Sequence, residues 1–124
     1  MINLFRRFRR KPPSSKTSYS QCGEDLIVEF LLSWLGITDI IYLDLGANDP
    51  VRFNNTYRFY TLGHRGVLVE PDGELFQSIQ RTRPLDVCVN TAVGVTKDAE
   101  VVFYKMTANT LSTTMSATAE RYER

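Results

Sequence analysis

The segment Ile40-Ile41-Tyr42-Leu43-Asp44-Leu45-Gly46-Ala47-Asn48-Asp49 constrains the fold more than any other stretch of the chain. Its apolar run reads as a strand, and the strand stops at an acid followed by a glycine-containing turn. In parallel α/β sheets, nucleotide-like ligands bind where strands end in this way, at the carboxyl edge. Gly46 lacks the Cβ that would hold a ligand away from the backbone. Asp44 sets a negative charge beside the turn, which suits a cationic or hydroxyl-rich ligand better than a bare phosphate. A second apolar run, Gly66-Val67-Leu68-Val69, also ends at an acid, Glu70.

The remaining elements follow from periodicity and punctuation. Ser20 to Gly36 predicts a helix, with Ser20 as N-cap, Glu24 and Asp25 against the positive end of the dipole, and Gly36 as terminator. Leu26, Ile27, Phe30, Leu31, Trp34 and Leu35 form its apolar face. Asn54-Asn55-Thr56 caps a short helix, Thr56 to Leu62, closed by Gly63. Pro71-Asp72-Gly73 is a turn, and Glu74 to Arg81 is helical. Asp86 to Asn90 is a third strand. Glu100 to Lys105 is a fourth, reached through a hairpin connection at Thr96-Lys97-Asp98-Ala99. Thr107 to Ala119 is rich in Ser, Thr and Ala and reads as a loop. The strand–helix–strand–helix–strand order predicts parallel strands joined by crossover helices, the second strand in the middle.

A chain of 124 residues, 43% hydrophobic and 23% charged, has room for one domain with a core. Its formal net charge of +1 conceals an asymmetry. Six of the 15 bases lie in residues 1–16 with no acid, which leaves nine bases against 14 acids, a net of −5, in the rest. A basic tail on an acidic body is an anchoring or targeting pattern and argues against a nucleic-acid partner. Residues 1–19 are therefore read as a flexible tail. Leu4, Phe5 and Phe8 among the arginines allow weak contact with an anionic membrane surface through residues 1–16; a solvated arm is the favoured reading, because so short an apolar segment buries little area. Cys22 and Cys88 stand far apart in no ligand spacing, which favours reduced thiols and a cytoplasmic location. No apolar run reaches the ~20 residues that span a bilayer. The tail lacks the apolar core of a secretory signal.

Taken together and in order, five motifs resemble the amino-terminal half of an FkbM-type methyltransferase. They are Ser20-Gln21-Cys22-Gly23-Glu24-Asp25, Tyr42 to Pro50, Asn55-Thr56, Leu62 to Pro71, and Asn90-Thr91-Ala92-Val93-Gly94, within about residues 18–115. The resemblance implies an S-adenosylmethionine-dependent enzyme with a Rossmann-like three-layer sandwich, methylating a hydroxyl on a sugar, glycan or natural product. His64 stands where the family often has Trp. The family's next motif, a strand bearing Asp and a downstream Glu-Gly, has no counterpart here. The chain is therefore expected to be truncated after the first strands, with residues 20–106 as the cofactor-binding half, residues 107–124 as its Ser/Thr-rich end, and little activity of its own.

This resemblance distributes the cofactor over eight residues. Glu70 accepts both ribose hydroxyls, the role an acid plays at a second strand end. Asp44 faces the ammonium of the amino-acid end, directly or through water, beside the Gly46–Ala47–Asn48 backbone. Asn90 and Ala92 border the adenine, and Gln21 borders the site from the start of the first helix. Plainer roles exist for each: a surface acid for Glu70, a turn cap for Asp44, a helix cap for Gln21. In-line methyl transfer needs positioning, plus a base for a hydroxyl acceptor. The sequence names no base; His64 lies in a helix–strand turn and reads as structural. No metal-ligand spacing is visible. A nicotinamide-dependent oxidoreductase shares the strand–turn–acid logic, yet Gly46-Ala47-Asn48-Asp49 lacks the second and third glycines that admit a pyrophosphate. A non-catalytic remnant or interaction module with a basic tail is the remaining alternative.

Overall fold

The computed structural model describes residues 15–94, 102–106, 112 and 114–122 of the chain. Three strands form one sheet: β1 (Ile41–Leu45), β2 (Arg65–Val69) and β3 (Val87–Val89). Their order is β1-β2-β3 and both pairings are parallel, so the strands lie side by side as the sequence predicts. The protein is α/β, with helices α1 (Glu24–Trp34), α2 (Tyr57–Thr61), α3 (Gly73–Thr82) and α4 (Ser116–Tyr122). No described helix is long and apolar enough to cross a membrane.

Register decides which side chains meet. Tyr42 is opposite Gly66, Asp44 opposite Leu68, and Leu68 opposite Cys88, so these residues share one face. That face carries the core: Tyr42 and Leu68 pack with Phe59 from α2 and Ile79 from α3, and Leu32 from α1 lies against them. Gly66 is required there, because a Cβ at this position would enter the Tyr42 ring. The opposite face presents Ile41, Leu43, Leu45, Val87 and Val89, all exposed, with Ile41 at 88%. Among the described residues, helices cover one side of the sheet, while the other leaves the side chains of β1 and β3 exposed and buries only Val69 of β2.

Helix α1 departs from its sequence reading. It begins at Glu24, three residues later than an N-cap at Ser20 would give, with Gly23 at φ 90° as the preceding residue. Ser20 serves the same end from further out, its Oγ accepting from Gly23 N at 3.0 Å. The face that docks is not the apolar one. Asp25, Glu29 and Leu32, spaced i, i+4, i+7, turn inward. Asp25 is buried and accepts from Tyr19 N and from the Ser18 and Ser20 hydroxyls. Glu29 pairs with Arg58 and Lys16. Ile27, Phe30, Leu31, Trp34 and Leu35 consequently face outward, Trp34 at 75% exposure.

Smaller differences have local causes. Asp72 is the N-cap of α3, its carboxylate accepting from Glu74 N and Leu75 N, so the helix starts at Gly73, the last residue of the expected turn and one before the expected Glu74. Residues 102–106 do not form the fourth strand; Tyr104 makes only an isolated bridge. Lys105 instead ties this segment to α3 through Asp72 and Glu74. Residues 116–119, expected in a loop, belong to α4. The hairpin connection at 96–99 and residues 1–14 of the basic tail lie outside the described residues.

Candidate functional site

The carboxyl ends of the three strands meet around one turn. After Leu45 the chain reverses through Gly46 at φ 75° and Asn48 at φ 54°. Both are left-handed conformations, which Gly adopts freely and Asn tolerates better than most residues. The amides of Gly46 and Ala47 donate to Val69 O at 2.8 and 3.1 Å, binding the turn to the end of β2. Glu70 N donates to Val89 O at 3.0 Å and extends the tie to β3. The backbone beside Gly46 is therefore fixed, and a Cβ built on Gly46 would meet nothing within 4 Å. The position is open and needs glycine for its backbone angle.

Three cavities open along this edge and adjoin at Gly46. The first, about 350 Å³, is polar and is lined by Gln21, Asp44, Gly46, Ala47 and Asn48 together with Asp49, Arg52 and Asn54. The second, about 430 Å³, is lined by Val69, Pro71, Ala92 and Val93 from the ends of β2 and β3 and is closed by Phe103 and Ser112. The third, about 140 Å³, lies between them over Glu70 and Asn48. Seven of the eight residues assigned to the cofactor from sequence thus line a trough of three neighbouring cavities that share Gly46.

Asn90 is the eighth and does not line it. Its amide nitrogen donates to Glu70 O at 2.7 Å and to Pro71 O at 3.1 Å, latching the turn between β2 and α3. His64 also lies away from the trough, in the connection between α2 and β2. Asp49 accepts from Val51 N and Arg52 N and shapes the following turn.

The two acids differ in their surroundings. Glu70 is 4% exposed, and each of its oxygens accepts a backbone N–H: Oε2 from Asn48 N at 2.7 Å, Oε1 from Asp72 N at 2.9 Å. It braces the β1 turn against the start of α3. Each carboxylate oxygen keeps a second lone pair for a ligand hydroxyl. Asp44 is half-buried, and only its Oδ2 is engaged, by Asn54 Nδ2 at 3.2 Å and Thr56 Oγ1 at 2.7 Å. Its Oδ1 accepts nothing among the described residues, and Asp44 is one of the residues lining the polar cavity.

Behind Asp44 lies a polar cluster that the sequence did not reveal. Arg83 is fully buried, its Nε donating to Asp86 Oδ2 at 2.8 Å. Its Nη2 is also 2.8 Å from that oxygen, but without the angle of a hydrogen bond. The guanidinium sits among the rings of Tyr42, Tyr57 and Tyr60, 5.2–5.9 Å from their centroids. Tyr42 donates its hydroxyl to Asp86, and Gly66 N donates there as well. Burial, reinforced by the Asp86 carboxylate and opposed by Arg83, raises the Tyr42 phenol far above its ordinary range. In the sequence Arg81-Thr-Arg83 reads as surface charge; the only hint was Asp86, opposite in sign at i+3.

A further cavity, apolar and about 410 Å³, lies under α1 between Val28, Leu32, Ile40 and Phe59. Glu24, Asp25, Asp39, Asn55 and Thr56 stand at its margin, but its wall is mainly apolar. Among the described residues no three His, Cys, Asp or Glu side chains group as metal ligands. No family model, curated protein or solved structure matches the chain.

Proposed function

We propose that this chain is an S-adenosylmethionine-dependent methyltransferase, or the cofactor-binding half of one, acting on a hydroxyl of a sugar, glycan or natural product. One observation supports this reading above the others: the Asp44–Asn48 turn and Glu70, assigned from sequence to opposite ends of one ligand, flank a common trough at the carboxyl edge of parallel strands. The amino-acid end of the cofactor belongs in the polar cavity, with its ammonium toward Asp44 Oδ1. The ribose belongs over Glu70, and the adenine in the less polar cavity beside Ala92. The three volumes together suit a ligand of this size.

The finer fold belongs to the same proposal. A sheet with helices on one face and exposed aliphatic side chains on the other is half of a Rossmann-like three-layer sandwich, and a further helical layer would cover Ile41, Leu43 and Leu45. The free thiols Cys22 and Cys88 favour a cytoplasmic setting. The methyl group moves by in-line displacement at the sulfonium carbon, and this half of the enzyme contributes orientation and exclusion of water. The acceptor and its base belong to residues outside the trough.

The exposed sheet face favours a second reading, a non-catalytic interaction module. Thermal shifts with S-adenosylmethionine, with NAD and without ligand separate the readings. The methyltransferase reading requires stabilisation by S-adenosylmethionine alone. Stabilisation by NAD favours an oxidoreductase, and stabilisation by neither favours the interaction module.

A further inference from the structure

The hydrogen bonds behind Asp44 run in one direction only. Arg83 has N–H donors and no acceptor. Its Nη1 donates to Asn54 Oδ1 at 3.1 Å and to Thr56 Oγ1 at 3.0 Å. Asn54 Oδ1 also accepts from Thr56 N and Tyr57 N, at 3.0 and 2.8 Å. Three N–H donors on one oxygen fix the orientation of the Asn54 amide, so its Nδ2 points to Asp44 Oδ2 and Ala47 O. The Thr56 hydroxyl has one proton and two oxygens in reach, Asp44 Oδ2 at 2.7 Å and Asn54 Oδ1 at 3.0 Å. The Asn54 oxygen is already filled by N–H donors, so the proton goes to Asp44.

We infer that Arg83 is a positioning residue for the ligand site: through Thr56 and Asn54 it directs two donors onto Asp44 Oδ2 and leaves Asp44 Oδ1 free for a ligand ammonium. The identity of that ammonium rests on the methyltransferase reading. Arg83 itself is fully buried and cannot touch a ligand. Its charge is balanced by Asp86, so it supplies direction to the relay rather than net charge to the cavity. A polar cluster whose sole purpose was stability would not need to end on a half-buried carboxylate with one free oxygen.

Calorimetric titration of two probes tests this: S-adenosylmethionine, and 5′-methylthioadenosine, which keeps the adenosine but lacks the amino-acid end. Thr56→Val removes the hydroxyl from the relay. It is expected to weaken S-adenosylmethionine about 10-fold, the loss of roughly one hydrogen bond's worth of orientation, and to leave methylthioadenosine within about 2-fold. Thr56→Ser should restore both affinities. Arg83→Lys keeps a charge, but its single nitrogen cannot span Asp86 on one side and the Asn54–Thr56 pair on the other as the guanidinium does, and should reproduce the selective loss; Arg83→Gln takes its place if the lysine variant does not fold. Combining the Arg83 variant with Thr56→Val should weaken binding by less than the sum of the two single losses, since the Thr56 branch is shared and only the Asn54 branch remains for Arg83 to act through. Equal losses for the two probes, failure of serine to rescue, or additive losses would overturn the positioning role and leave the cofactor reading standing. A wild-type chain that binds neither probe overturns both.

Discussion

Replacing Glu70 by Gln tests how the two strand ends are held together. The carboxylate accepts Asn48 N at 2.7 Å and Asp72 N at 2.9 Å and is 4% exposed. Glutamine keeps one acceptor oxygen and puts an NH2 group in place of the other. One backbone N–H then faces a donor and loses its partner in a nearly water-free site. A hydrogen bond to a charged group contributes about 1.5–3 kcal/mol, and an unsatisfied buried donor costs within a similar range. Relaxation on the half-buried Asn48 side of the turn offsets part of this, so the expected destabilisation is about 2–3 kcal/mol. Urea unfolding followed by far-ultraviolet circular dichroism measures it; Trp34, 75% exposed, is a poor fluorescence reporter of this fold. With a slope of about 1–3 kcal/mol per molar urea, the midpoint should fall by about 1 M or more. Glu74→Gln provides the contrast, because its side chain is 86% exposed and engages only Lys105, a surface pair of little net effect. A Glu70→Gln midpoint indistinguishable from that of Glu74→Gln would refute the bracing role.

Gly66→Ala drives a methyl group into the Tyr42 ring and should destabilise by about 1–3 kcal/mol or more, measured by the same unfolding assay; Gly94→Ala, where a Cβ meets nothing within 4 Å, serves as control. The exposed sheet face and the outward stripe of α1 should bind a hydrophobic dye, and Leu43→Lys on that face should reduce the fluorescence without lowering the unfolding free energy by more than about 0.5 kcal/mol. Acid should loosen the α1 and α3 starts. Burial would raise Asp25 and Asp72, but hydrogen bonds from Tyr19 N and the serines, and from Lys105 with the α3 amides, hold both below their usual values; Arg58 and then Lys16 lower Glu29. Depressed folded values stabilise the native state above the unfolded carboxylate range of about 4 and lose that contribution as pH falls through the folded values. Unfolding midpoints measured from pH 6 to pH 2 should decline mainly below about pH 4, and Asp25→Asn should flatten the decline.

Strand order, parallel pairing and the strand-end turn were legible because short apolar runs bounded by Gly, Pro and acids leave few alternatives. The gathering of Asp44, Gly46, Asn48 and Glu70 followed from that topology alone. The docking face of α1 was not legible. Its apolar stripe is strong, yet the side that packs is set by Asp25 and Glu29, whose partners Tyr19 N and Arg58 lie outside any helical period. Arg83 was hidden for a related reason: an arginine near the end of an amphipathic helix reads as solvated, and only the tertiary placement of Asp86 and three tyrosines makes it a core residue. Asn90 looked like a ligand contact because it ends a strand, and the turn it latches comes from β2, invisible to local pattern.

The central claim is that the trough at the strand ends takes S-adenosylmethionine. Backbone amide chemical shifts recorded during titration with this compound test it residue by residue. The account predicts saturable shifts at Gly46, Ala47 and Asn48 and at Ala92 and Val93, with none at Val28 or Leu32 beside the apolar cavity under α1. Absence of saturable shifts, or shifts confined to the α1 cavity, would contradict it.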